Sequence, residues 1–157
     1  MTPTPTTALD LFERWYTAHE KAALDDLAAV LDTDVEVRSL FRDRPVRTRP
    51  AAIEHFRATL AAFSPLSMPI VSGPAATDDG TVMAEVVFTG IFAGSLTWNG
   101  TTYPATDRPF DVTGVVVLRT TPSHVVYVRT LFDRDDWLDQ IGVNPSIITA
   151  STPGSTP

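Results

Sequence analysis

The chain has 157 residues, 43% of them hydrophobic and 20% charged, with a formal net charge of −7. That length suits one domain around one core, and the apolar content excludes a disordered chain. The negative charge argues against nucleic acid and anionic membrane as partners, because both recruit basic patches. The absence of cysteine excludes disulfides, thiol nucleophiles and cysteine metal sites.

The opening stretch MTPTPTTALDLFERW lacks the basic and apolar regions of a signal peptide, and no apolar run is long enough to span a bilayer. A cytoplasmic protein is expected. Residues 1–6 read as a flexible lead-in. Thr7 is placed as a helix N-cap with Asp10 in the first turn, and Leu11, Trp15 and Ala18 repeat at helical spacing. Helical pattern continues to Leu31, as one helix or as two broken near Leu24-Asp25. Val35 and Val37 alternate with Glu36 and Arg38, as in a half-buried strand. After an irregular basic loop, Pro50 is suited to the first position of a second helical segment, with Ile53, Phe56, Leu60 and Phe63 as its apolar stripe.

From Met68 the period changes to two. MPIVSGPAAT is a short strand, DDG a turn signal and TVMAEVVFTGIF a strand. AGSLTWNGTTYPATDR is a loop or a poor hairpin around Asn99-Gly100. PFDVTGVVVLRT and HVVYVRTLFD are two further strands, followed by a short helix over 135–141. Residues 144–157 read as a disordered tail. Helices, strand, helix and then a meander define an α+β class. A curved antiparallel sheet wrapped over N-terminal helices makes a cone with an internal pocket for a small apolar ligand. One domain, residues 7–143, is expected.

No phosphate-binding glycine motif, serine-hydrolase elbow or histidine metal motif is present, so no metal and no cofactor is expected. In the last strand, Tyr127, Arg129, Leu131 and Asp133 share one face, and Val126, Val128, Thr130 and Phe132 the other. If the first face looks into the cone, Asp133 is a candidate general base, with Arg129 or Tyr127 polarising a carbonyl. Asp133 is also placed to cap the final helix, a role that does not exclude the first, and it is expected at the cone mouth. Trp15 and His19 on the first helix, and His55 and Phe56 on the second, are candidate substrate-binding residues that would line the cone. Phe88, Phe92, Phe110, Val112 and Leu131 would complete the wall, with Glu85 and Asp111 turned outward.

These stretches resemble the SnoaL-like polyketide cyclases of the nuclear-transport-factor-2-like superfamily, over about Leu9 to Val143. PAAIEHFRATLAAFSPLSM is similar to the family's helix and its exit, FTGIFAGSL to its G-T-H-x-G segment, and PATDRPFDVTGVVVLR to the entry to its fourth strand. VVYVRTLFDRDDWLDQIGV resembles its closing strand and helix. The resemblance implies a cone, usually dimeric, that closes polyketide rings by acid–base chemistry without a metal; relatives isomerise steroids, open epoxides or only bind. Two positions depart from the pattern: Phe92 stands where the aldol cyclases have histidine, and Ser39 near the aspartate of the epoxide-opening relatives. The family's catalytic aspartate matches either Asp111 or Asp133.

The expectation is therefore a cyclase or isomerase for a largely apolar, polyketide-like small molecule, working mainly by templating ring closure. A ligand-binding protein without chemistry and an epoxide-opening enzyme are the rivals. A homodimer through the convex sheet is expected, with Val126, Val128 and Phe132 on that face.

Overall fold

The computed structural model describes residues 6–39, 42, 44–98 and 100–143. The tail expected over 144–157, and all but the last residue of the expected lead-in, lie outside the described residues. Helix α1 (Ala8–Glu20) starts with a reciprocal cap. The Asp10 amide donates to the Thr7 hydroxyl at 3.1 Å, and the Thr7 amide donates to the Asp10 carboxylate at 2.9 Å. Its stripe buries Leu11, Phe12, Trp15 and Ala18. The chain then turns through Ala22, at φ 52, into α2 (Leu24–Val30), so the helical pattern is two helices.

Strand β1 (Leu31–Arg38) buries Val35 and Val37, and its neighbour β2 (Val46–Arg47) is a two-residue edge. Helix α3 (Arg49–Ala62) starts one residue before Pro50, behind the cap Thr48. Its buried face is Ala52, His55, Phe56, Thr59 and Ala62, while Ile53 and Leu60 are only half-buried. The helix is thus rotated from the expected stripe, and the face turned to the sheet carries a histidine and a threonine. Phe63 belongs instead to β3 (Phe63–Ser67).

The remaining strands are β4 (Ile70–Ala76), β5 (Thr81–Phe92), the small hairpin β6 (Leu96–Trp98) and β7 (Thr101–Tyr103), β8 (Pro109–Thr120) and β9 (Val125–Phe132). Helix α4 (Arg134–Ile141) closes the described chain. Among the described residues the main sheet has seven strands, in the order β2-β1-β9-β8-β5-β3, with β4 also on β5. The meander pairs are antiparallel, as short turns require. The one departure is β1, which lies parallel to β9 because the chain reaches it from α2 rather than through a hairpin.

Register decides which residues face the helices. Ala84 pairs with Val116 and Val116 with Thr130; Val82 pairs with Leu118 and Leu118 with Val128. Val82, Ala84, Val116, Leu118 and Val128 are all buried. Where β8 bends, a Cβ on Gly114 would collide with the Leu131 carbonyl and approach the Phe88 ring at 2.8 Å. Glycine there lets the sheet curl round the helices. No helix among the described residues is long and apolar enough to cross a membrane.

Candidate functional site

The curl leaves a largely apolar cavity, partly continuous with solvent, between the sheet and helices α1 and α3. Helix α1 contributes Trp15 and His19, one turn apart. Helix α3 contributes His55, Phe56 and Thr59. The strands add Val37, Phe88, Phe110, Val128, Thr130 and Phe132, and Ser39 follows β1. Leu66, Ser67 and Met68 close one side.

The only ionisable side chains in that lining, among the described residues, are the two histidines. Their rings are held by aromatic contacts. His19 lies 5.4 Å from Trp15 and meets Phe56 edge-on at 5.5 Å, and His55 lies 5.8 Å from Phe56, centroid to centroid. His55 is 5% exposed. Burial in this apolar setting, reinforced by the positive charge of Arg42 and by His19, pushes its pKa down to about 4. His55 is therefore neutral at physiological pH.

A carboxylate stands just behind His19. Glu20 accepts the Ser67 hydroxyl at 2.6 Å and the Met68 amide at 2.9 Å. Burial opposes its ionisation, but the neighbouring His19, the Ser67 hydroxyl and the Met68 amide outweigh that and hold its pKa below the usual carboxylate value. His19 Nδ1 is 3.8 Å from the carboxylate, beyond hydrogen-bond range. Among the described residues, three buried polar atoms of the lining have no hydrogen-bond partner: Trp15 Nε1, His19 Nδ1 and Thr130 Oγ1.

Six of the residues picked from the sequence as ligand contacts meet in this cavity: Trp15, His19, His55, Phe56, Phe88 and Phe110. Phe92 and Val112 are buried in the core instead, Phe92 against Phe63 at 5.6 Å and Val112 opposite Phe88. The expected facing of β9 is reversed. Val128, Thr130 and Phe132 line the cavity, while Leu131 is 37% exposed and Arg129 is exposed on the convex side. Tyr127 lies under the Arg119 guanidinium at 4.6 Å. The physical reason is the cost of burying Arg129 without a partner; the apolar face of the strand goes inward.

Asp133 does not line the cavity. It is the N-cap of α4, exposed, with its carboxylate accepting the Asp136 amide at 3.0 Å. Glu36 pairs on the surface with Arg38 at 3.0 Å and Arg47 at 3.1 Å, and Glu85 and Asp111 are exposed. Thr59 and Thr130 were missed in the sequence. Thr59 had a signal, standing four residues after His55 on one helix face; Thr130 had one in its alternation with Val128 and Phe132.

No curated protein matches the chain in sequence. Solved structures match over nearly their whole length. A proposed SnoaL-like polyketide cyclase from Jannaschia sp. superposes with a TM-score of 0.74 at 17% identity, covering 92% of this chain and 98% of that one. IdmH, a proposed polyketide cyclase from Streptomyces antibioticus, gives 0.66 at 24% identity, covering 87% and 99%. A protein of ketosteroid isomerase-like fold from Catenulispora acidiphila, solved with trimethylamine, gives 0.69 at 18% identity, covering 86% and 94%. At these identities the likeness establishes the fold, an α+β cone. The sequence profile of the SnoaL-like domain, for its part, matches residues 12–127, and the chain belongs to that family.

Proposed function

We propose that the chain is a cofactor-independent cyclase or isomerase that moves a proton on a largely apolar, polyketide-like ketone held in the cone. The observation that carries this reading is the pairing of two histidines, and no carboxylate, in an otherwise apolar lining among the described residues. His55, kept neutral, donates an imidazole N–H to the substrate carbonyl and supports the negative charge that develops on its oxygen. His19 takes the proton from the carbon beside that carbonyl; the C–H electrons form the enolate and the proton returns at another position or after a ring bond closes. The rings of Phe88, Phe110 and Phe132 hold the chain folded. Fixing the reacting ends in this way lowers a barrier by about 7–11 kcal/mol in favourable cases.

Epoxide opening is the weaker reading, because Glu36, Glu85 and Asp111, the acids it would use, are not among the lining residues. The experiment is deuterium uptake at the carbon beside the carbonyl of 1-tetralone, followed by NMR in deuterated water. The protein is expected to accelerate uptake over buffer, and His19→Gln to lose on the order of 10²–10⁴ in that rate. Binding of the ketone with no accelerated uptake would make the chain a ligand-binding protein instead.

A further inference from the structure

Trp15 is 1% exposed, yet it lines the cavity and its Nε1–H has no partner among the described residues. An indole N–H can only donate. The cavity wall supplies it with no carboxylate, because the ionisable lining groups are histidines. The hydroxyl of Thr130, from the opposite layer of the fold, is also buried and unpartnered. A buried donor left unpaired is unfavourable, so an orphaned donor on a cavity lining points to a partner that the cavity would hold. Trp98 has an unpartnered Nε1 as well, but it stacks under Arg134 and does not line the cavity.

We propose that the Trp15 Nε1–H, with the Thr130 hydroxyl, selects ligands that bring an acceptor oxygen into this otherwise apolar cavity. These two groups are specificity determinants separate from the imidazoles. The assignment rests on the reading of the cone as a site for a polyketide-like ketone, and it adds what that reading lacks: how the site tells an oxygenated ring from a hydrocarbon of the same shape. A flat apolar body would fill the space beside Phe88 and Phe110. Its oxygen would answer the indole. Thr130 can donate to the same or a second oxygen, because a hydroxyl turns to suit its partner. A hydrocarbon would gain the same apolar burial but leave both donors unpaired. That asymmetry is what makes hydrogen-bonding sites discriminate more sharply than purely apolar ones.

The experiment compares 1-tetralone with tetralin, which has the same bicyclic frame without the oxygen, by calorimetric titration of the full chain. The wild type is expected to bind the ketone about five- to a hundredfold more tightly than the hydrocarbon. Trp15→Phe removes the N–H and keeps an aromatic ring; it should lower that ratio about five- to tenfold while tetralin affinity stays within about threefold. Thr130→Val keeps the shape, removes the hydroxyl and should lower the ratio in the same direction. If Trp15→Phe fails to fold, Thr130→Val decides alone. A wild-type ratio near one, or a ratio unchanged in both variants, overturns the inference and leaves the cavity reading standing. Binding of neither probe overturns both. Tetramethylammonium bound more tightly than the ketone would make the aromatic lining a cage for cations and overturn the inference.

Discussion

The carboxylate of Glu20, at the end of α1, accepts the Ser67 hydroxyl at 2.6 Å, and so ties the first helix to the strand that borders the cavity. The same carboxylate takes the Met68 amide, and the Tyr16 hydroxyl donates to the Met68 carbonyl at 3.2 Å. Ser67 and Met68 are both lining residues, so the clamp sets the width of the cavity on that side.

The clamp makes a first prediction. Glu20→Ala leaves the Met68 amide unpaired in a half-buried setting and should cost about 1–2 kcal/mol, measured by urea denaturation at neutral pH. Because the folded pKa of Glu20 lies below its ordinary value, its contribution is present at neutral pH and is lost as pH falls through the folded value. Glu20→Gln should therefore flatten the acid limb of the stability profile below about pH 4.5. An acid limb identical to that of the wild type would count against the clamp.

His55 predicts a second limb, at higher pH. Its pKa is about 4 in the fold and 6.5 in its ordinary state, so the unfolded chain gains a proton first as pH falls. Stability from this group is whole above about pH 6.5 and declines down to about pH 4, by on the order of 3 kcal/mol in all. His55→Gln should remove that slope between pH 6.5 and 4. Denaturant midpoints measured across this range would reveal a slope that survives the substitution, and such a slope would belong to other groups.

For Asp133 the expected outcome is purely structural. Asparagine caps about as well as aspartate, so Asp133→Asn should be nearly silent in stability. Asp133→Ala removes the bond to the Asp136 amide and should cost about 1 kcal/mol. Both variants should keep the deuterium-uptake rate. A loss of 10²-fold or more in Asp133→Asn, on the order of a general base's contribution, would return Asp133 to the chemistry.

The convex sheet gives the last prediction. Met83 and Leu131 are 48% and 37% exposed there, next in register to Val117 and Val115. These four residues make an apolar diagonal flanked by the exposed Glu85 and Arg129, opposite charges that a second copy related by a two-fold axis could pair. Light scattering at micromolar protein should give a dimer mass, and Leu131→Asp should shift it toward the monomer. A monomeric wild type would refute the interface.

Much of the architecture was legible because it follows from local chemistry. The Thr7–Asp10 cap, the burial of Val35 and Val37, the turn before β5 and the alternation of β5 and β8 are each written in a few neighbouring residues. The helical membership of His19, His55 and Trp15 was equally plain. What the sequence alone did not decide was facing. In β9 the period of two defines two faces but not which one is concave, and polar Tyr127, Arg129 and Asp133 drew attention as chemistry. Pairing with β8 settles it: Thr130 opposite Val116 and Val128 opposite Leu118 turn the other face inward. The parallel seat of β1 beside β9 and the rotation of α3 that buries His55 and Thr59 are likewise long-range choices. Sequence by itself determined the elements and their amphipathic faces, because caps, turns and periodicity act over a few residues. Tertiary structure decided which histidines share a cavity with which donors, because that depends on how the whole sheet curls and on the cost of burying an unpaired charge.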